Sequence, residues 1–458
     1  MFDNEIMEAY MDINDIKRKF HTASLQDLIP AKNSQYPPNI NGNSYKNDLW
    51  PPYSTFVDLF GTELAEFCCY CAGGLVPESY YYDESNYTII SLTPFLLDKG
   101  LDAKETLEFL IKDYQTHLKK YGLLSVKVMK YIPEPFISNL ISKYIEENDV
   151  TYDDFVKQYI QLEYGFDSLP YKRIKEILLN THKPFGQDVI QNLPEVVTIY
   201  RGAGDKSSSI EKSFSWTLNK NIAYFFAVKN AQEYAYIYEA RVKRENIRGY
   251  INDRNEEELL VFYEDLELIN TIKLPSINEY ANNNSKLIWL LRELMEIYGN
   301  YEDLLEDYTN DTRDHTSSHV QRVALLAGIL YMEETGKKPD KILKNILNAS
   351  FLHDLGRDND EVDESHGQKS IDILKEENIK LPQIVYKIIK YHCLDDERFI
   401  KECYPSKKEL FMYQVLKDAD ALDRVRFGLR ALDVDYLRLE SSKRMILIAK
   451  QLLKMRIL

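Results

Sequence analysis

Five of the chain's eight histidines fall between residues 285 and 458, a stretch whose pattern is helical almost throughout. LIWLLRELMEIYG, HVQRVALLAGILYMEE, KILKNILNASFLHDL, QIVYKIIKYHC, LFMYQVLKDADALDRVRFGL and SSKRMILIAKQLL each repeat apolar residues at three- and four-residue intervals, which predicts an all-α bundle. Polar residues on those stripes constrain the bundle further. His319 lies one turn before Val323, His392 one turn after Ile388 and Asp420 one turn after Leu416, so all three turn toward the core. A buried aspartate without a partner is costly, and an inward Asp therefore needs a cation or a hydrogen-bond network. For any one of these residues taken alone, a satisfied core histidine is the plainer reading. The full order His319, His353-Asp354, His366, His392, Asp420 on successive helices favours a shared divalent cation, since facing helices hold metals with inward imidazoles and carboxylates.

The remaining chain divides by pattern. At ~100–200 residues per domain, 458 residues suggest two to four units. Prolines interrupt the helical pattern at YIPEPF (131–136), and NEYANNNSK (278–286) is a polar run; both read as breaks. Residues 1–133 then form an N-terminal region of mixed loop and helix, mostly helical, with no chemistry to name. Residues 134–277 open with helices (DDFVKQYIQLEYG, YKRIKEILLN) and change to strand-like segments, VVTIYRG, YAYIYEARV and LLVFYEDLELI, which make an α+β unit. Cys68, Cys69 and Cys71 cluster as C-C-x-C, but an odd total of five cysteines is no disulfide framework, and buried thiols are the plainer reading.

Charge and hydropathy exclude some partners. A formal charge of −16 repels phosphate backbones and disfavours nucleic acid, although a pocket with its own arginines can still hold a small anion. No apolar run approaches the ~18–20 residues needed to span a bilayer, and MFDNEIMEAYMDIND has neither the basic nor the apolar part of a secretion signal. No membrane association is expected, and the expected location is cytoplasmic, or a host cytoplasm if the protein is delivered as an effector.

The segments HVQRVALLAG, ASFLHDLGRDND, ESHGQKSIDIL, IIKYHC and VLKDADALDRVR together resemble the HD-domain superfamily of metal-dependent phosphohydrolases. The resemblance implies that His319, His353, Asp354 and Asp420 hold the main metal and that His366 and His392 match the extra histidines of two-metal members. Mixed nitrogen and oxygen donors suit Mn, Fe, Mg or Ni. The implied activity is hydrolysis of a nucleotide-like phosphoester with Asp354 at the catalytic centre, while a di-iron oxygenation is the implied exception. His315 competes for the first ligand position, which the phrase H-x-x-R-V gives to His319. Asp418 and Asp423 flank Asp420; the A-D-x-L spacing selects Asp420 and leaves Asp418 behind the ligands or on the helix face. Arg357 is placed to grip a substrate phosphate, or else to pair with Asp358 or Asp360.

Three short motifs mark the middle region: Arg201-Gly202 closing a strand, SFSWTLNKNIAYFFA running from extended residues into a helix near Asn219, and DRNEEELLVFYE, which sets Glu256 and Glu258 two apart at a strand start. In that order they resemble the Arg-Ser-Glu class of mono-ADP-ribosyltransferases. The resemblance implies NAD as cofactor, held by Arg201, Gly202, Ser215 and Thr217. It makes Glu258 the catalytic glutamate, oriented by Ser215, and Glu256 the second carboxylate of the E-x-E pair, which hints at an arginine acceptor. A carboxylate at the nicotinamide–ribose bond stabilises an oxocarbenium-like centre, as in glycoside cleavage. The helper hydroxyl stays open among Ser215, Ser213 and Thr217, and Glu257 could shift the register by one. Tyr224, Phe225 and Phe226 read as core more readily than as a nicotinamide wall.

The sum is a multidomain, bifunctional enzyme: an α+β ADP-ribosyltransferase-like domain and an all-α HD bundle (285–458), with NAD, a nucleotide-like phosphoester and a protein acceptor as partners. Such a fusion suits a bacterial toxin, effector or phage-conflict protein. Three other readings stay open: an HD phosphohydrolase whose middle domain only senses NAD or ADP-ribose, an NAD glycohydrolase, and an adaptor of two inert folds.

Overall fold

A computed structural model of the chain describes residues 23–457 apart from 41, 45, 74–77, 99–101, 162–168, 182, 310–316, 358–362 and 456. The opening segment MFDNEIMEAYMDIND, His315, Asp358 and Asp360 therefore lie outside the described residues.

The N-terminal region holds, besides its helices, a sheet that the sequence reading did not expect. Strands β1 (Leu28–Pro30), β2 (Cys68–Cys71), β3 (Glu78–Asp83) and β4 (Thr88–Ser91) form an antiparallel sheet in that order, packed with helices α1 (Tyr53–Ala65) and α2 (Ala103–Tyr121). The strands escaped the sequence reading because β2 is buried at every position and β3 at most of them, which erases the polar alternation that marks a half-exposed strand. Cys68, Cys69 and Cys71 are free and buried in β2; burial pushes the Cys68 thiol far up and that of Cys69 to about 12. They are packing residues, as expected.

Helix α3 (Ile137–Glu147) joins this region to the next. Phe136 and Leu140 pack with Tyr80 and Tyr114 of the N-terminal core, while Ile141 and Ile145 pack with Phe155, Phe214 and Leu260 of the middle one.

In the middle region, helices α4 (Tyr152–Gln161) and α5 (Tyr171–Leu179) precede six antiparallel strands: β5 (Val196–Gly204), β6 (Ser215–Thr217), β7 (Tyr234–Lys243), β8 (Gly249–Ile251), β9 (Glu258–Leu260) and β10 (Leu266–Pro275). Their spatial order is β8-β9-β6-β5-β7-β10. Helix α6 (Lys220–Lys229), capped by the Asn219 side chain accepting from the Asn221 N–H, lies directly on β5. Contact is so close that a Cβ on Gly202 would stand 1.7 Å from the Ala223 carbonyl oxygen. Gly202 lines the cavity described below, and its missing side chain makes room for α6.

The polar run at 278–286 is no linker: it holds helix α7 (Ile277–Asn283), whose Ile277 and Tyr280 are buried. There follow α8 (Leu287–Gly299), α9 (Ser317–Thr335), α10 (Lys341–Leu352), α11 (His366–Glu376), α12 (Gln383–Tyr391), α13 (Lys407–Asp423) and α14 (Ile446–Leu452). One apolar core runs from Tyr224, Val228 and Ile237 of the middle region through Leu290, Leu326 and Leu416 to Leu452. At this junction Lys450 of α14 donates to the carbonyl of Val228 at the end of α6 (2.8 Å), a cation placed where the helix dipole is negative. Among the described residues, no helix is long and apolar enough to cross a membrane.

Candidate metal centre and a second cavity

Five helices bring together the histidines and aspartates singled out in the sequence. His319 stands on the first turn of α9, His353 caps the end of α10 with Asp354 beside it, His366 starts α11, His392 ends α12, and Asp420 lies on α13. Asp354 is the hub. Its Oδ2 lies 3.4 Å from Nε2 of His319 and 3.6 Å from Nε2 of His353, and its Oδ1 lies 3.3 Å from Nε2 of His366 and 3.2 Å from Nε2 of His392. Asp420 Oδ1 closes the first group, 3.5 Å from His319 Nε2 and 3.9 Å from His353 Nε2. The four imidazoles and Asp354 are buried, whereas the Asp420 side chain keeps 35% of its surface exposed, so the site opens on that side. Gly367 makes the second group possible: a Cβ there would press on the Ile389 carbonyl at 2.6 Å, so only glycine lets α11 start against the end of α12.

The orientation of every ring is set from behind. Nδ1 of His353 bonds the Ser350 carbonyl (2.8 Å), Nδ1 of His392 the Ile389 carbonyl (2.7 Å), Nδ1 of His366 the Asp363 carbonyl, and Nδ1 of His319 the Asp423 carboxylate (2.8 Å). Carbonyl and carboxylate oxygens only accept, so each Nδ1 carries the hydrogen and each neutral ring turns an Nε2 lone pair inward. Burial pushes His353 down to about 4. For His319 burial lowers the pKa too, but the contacts with Asp354 and Asp423 outweigh it and hold the ring above its ordinary value.

This donor set fits a divalent cation. His353 Nε2 is buried and has no hydrogen-bond partner among the described residues, a deficit of about 1–3 kcal/mol. Nε2 of His366 and Nε2 of His392 face each other at 2.8 Å, which two lone pairs tolerate only with a proton or a cation between them. Ligand atoms about 2.1 Å from one ion stand about 3–3.5 Å apart, close to the separations around Asp354.

The flanking aspartates are sorted by structure. Asp423, not Asp418, stands behind the cluster: besides His319 it accepts from Arg322 Nε (2.6 Å) and Nη2 (2.9 Å). The arginine of H-x-x-R-V thus holds the aspartate that holds His319. Asp418 turns away and accepts from the Arg438 and Leu439 N–H groups and the Ser442 hydroxyl, pinning the segment after α13. Arg357 is half-buried, with Nη1 3.4 Å from His366 Nδ1. Arg426, which the sequence reading passed over, lies near the charges of Asp420, Asp423 and Asp354 with its side chain 10% exposed.

A second site lies in the middle region, in a cavity of about 350 Å³ lined by Arg201, Ser215, Glu256 and Glu258. Ser215 pairs with Leu260 and Thr217 with Glu258 across β6 and β9, so Ser215 and Glu258 are diagonal neighbours on one sheet face. The Ser215 hydroxyl donates to Glu258 Oε1, and the Tyr159 hydroxyl of α4 donates to the same oxygen at 2.5 Å. Ser215, not Ser213 or Thr217, meets Glu258, since Thr217 donates to the Glu256 carbonyl (2.6 Å). Glu257 takes φ 45° and turns out of the pair, leaving Glu256 and Glu258 both buried toward Arg254, at 3.2 and 3.5 Å. Burial raises the Glu258 carboxyl above its ordinary range, and the donors Ser215 and Tyr159 offset only part of that rise. Arg201 donates through Nη1 to the Ser215 carbonyl (2.7 Å), while its Nε is buried without a hydrogen-bond partner among the described residues. Tyr224 is core, but Phe225 and Phe226 line the cavity. Six cationic side chains, Arg201, Lys206, Lys212, Lys229, Arg254 and Arg430, line it against two carboxylates.

Fold and cluster together define a helical domain built around a candidate metal centre, and residues 316–425 match the HD domain. The C-terminal region therefore carries an HD domain, which supports a metal-dependent phosphohydrolase. No curated protein and no solved structure matches the chain. The family match leaves the middle region to be judged from its own geometry.

Proposed function

We propose that the chain is a bifunctional enzyme whose HD domain hydrolyses a nucleotide-like phosphoester with divalent metal, and whose middle cavity cleaves NAD to transfer ADP-ribose. For the HD domain the observation that carries the reading is Asp354, one carboxylate placed between two pairs of inward Nε2 atoms. His319, His353, Asp354 and Asp420 would hold one ion, and His366 and His392 with Asp354 a second. Bound there, such ions supply Lewis acidity toward a phosphoryl oxygen and a lowered pKa for water. The chain's own residues do the rest: Asp423 and three carbonyls keep the rings in register, and Arg426 and Arg357 offer guanidinium groups to phosphate oxygens. Incubation of the full chain with Mn and a panel of nucleotide phosphoesters tests this reading. Product formation that disappears in Asp354→Ala supports it, and an inert wild type refutes it.

For the middle cavity, the convergence of Ser215 and Tyr159 on one oxygen of Glu258, beside Arg201, carries the reading. Arg201 offers a buried N–H to an anion, as a dinucleotide phosphate would require. When the bond from ribose C1′ to the nicotinamide nitrogen breaks, its electron pair leaves with nicotinamide, and Glu258 stabilises the positive charge left at C1′. The excess of cations in an otherwise acidic chain favours an anionic ligand over a neutral one. Release of nicotinamide, lost in Glu258→Gln, tests it; comparison with and without added protein separates transfer from hydrolysis by water.

A further inference from the structure

The middle cavity is not built by the middle region alone. Arg430 belongs to the segment that follows α13 of the HD domain, seven residues beyond Asp423, yet it lines the cavity. Its guanidinium stacks over the Phe225 ring at 4.7 Å and pairs through Nη2 with Glu256 Oε1 at 3.4 Å. A reciprocal pair of hydrogen bonds holds the segment in place: the Asn221 amide donates to Asp433 Oδ1 (2.9 Å), and the Val434 N–H donates to Asn221 Oδ1 (2.7 Å). From the other side Asp418 fixes the Arg438 and Leu439 N–H groups. Arg430 is thus presented on a braced segment, with nearly half of its side chain (48%) exposed.

We propose that Arg430 is a specificity residue of the middle cavity, supplied by the HD domain, which exchanges its pairing with Glu256 for the diphosphate of a nucleoside diphosphate ligand. The inference rests on the reading of the cavity as a nucleotide site and adds a residue from outside the region that carries it. Chemistry favours the exchange. A 3.4 Å contact with one carboxylate oxygen uses a single N–H of a guanidinium that has five, whereas a diphosphate offers several charged oxygens in the planar arrangement that a guanidinium fork matches. The Phe225 ring beneath keeps the guanidinium flat against the wall in both states.

Calorimetric titration of the full chain with ADP and with adenosine tests the exchange. Wild type should prefer ADP, and Arg430→Gln should lose about tenfold in ADP affinity while adenosine binding changes little, so that the preference collapses. Arg430→Lys should recover part of it. Asn221→Ala, which frees the segment without touching the ligand, should shift the preference the same way and keeps the test decisive if Arg430→Gln folds poorly. Equal weakening of both ligands, no weakening of either, or a wild type without preference for ADP overturns the proposal. So does mass-spectrometric detection of ADP-ribose on Arg430 after incubation with NAD, which would make it an acceptor. Nicotinamide release measured on the same samples separates the two claims: NAD cleavage with an unaltered ADP preference in Arg430→Gln removes Arg430 alone, and a preference without cleavage removes the transfer reading alone.

Discussion

Asp423→Asn removes one negative charge from behind His319 and nothing from the face that meets a metal. The carboxylate is fully buried and takes four hydrogen bonds, one from His319 Nδ1 at 2.8 Å, two from Arg322 at 2.6 and 2.9 Å and one from Arg426 Nη1 at 3.4 Å. An amide keeps one accepting oxygen, so His319 and Arg322 must compete for it. Loss of an outer partner of this kind weakens metal binding about 10- to 100-fold, which is about 1.4–2.7 kcal/mol. Stability falls as well, because Arg322 and Arg426 remain nearly buried without their shared anion; breaking a buried pair outright costs about 3–5 kcal/mol, and the retained amide oxygen keeps the loss below that. Asp418→Asn is the matched control: it is as buried, lies on the same helix and supports only the segment around Arg438. Calorimetric Mn titration and urea unfolding of both variants check the contrast. Both should unfold more easily, but only Asp423→Asn should lose Mn affinity. Unchanged Mn affinity in Asp423→Asn, or an equal loss in Asp418→Asn, would refute the assignment of Asp423 behind His319.

Two further outcomes are expected. Glu258 must be ionised to stabilise positive charge, and since burial raises its carboxyl above the ordinary 4.5, the acid limb of NAD cleavage should lie above that value; Tyr159→Phe removes a donor that favours the ionised form and should move the limb still higher, as a pH profile of nicotinamide release would show. Gly202→Ala should destabilise the middle region by about 1–3 kcal/mol or more, read as a lower urea midpoint, because its Cβ has no space beneath α6.

His319, His392 and Asp420 were legible because each stands one helical turn from an apolar neighbour, so inward direction could be read locally, whereas His353, Asp354 and His366 were legible from their order along the chain. Asp423 was not, since Asp418, Asp420 and Asp423 all sit on one buried helix and spacing alone does not say which touches the imidazoles and which a backbone. Ser215 and Glu258 were legible as motifs, but Tyr159 lies 99 residues before Glu258 and Arg430 174 residues after Glu256, contacts that no local pattern carries. The N-terminal sheet was hidden by burial on both faces, and no local pattern marks the helix backbone that occupies the space Gly202 leaves. The helical bundle itself followed directly from its stripes, whereas its shared core with the middle region did not, because Tyr224 and Val228 carry no mark of which partner they meet.

Metal content decides the central claim. Full-length protein stripped with chelator, loaded with Mn, desalted and measured by mass spectrometry of the elements should hold about two ions per chain. Asp354→Ala should hold neither firmly, because Asp354 faces both histidine pairs. A wild type that takes up no divalent ion, or an Asp354→Ala variant that retains the full complement, would contradict a metal centre at this cluster.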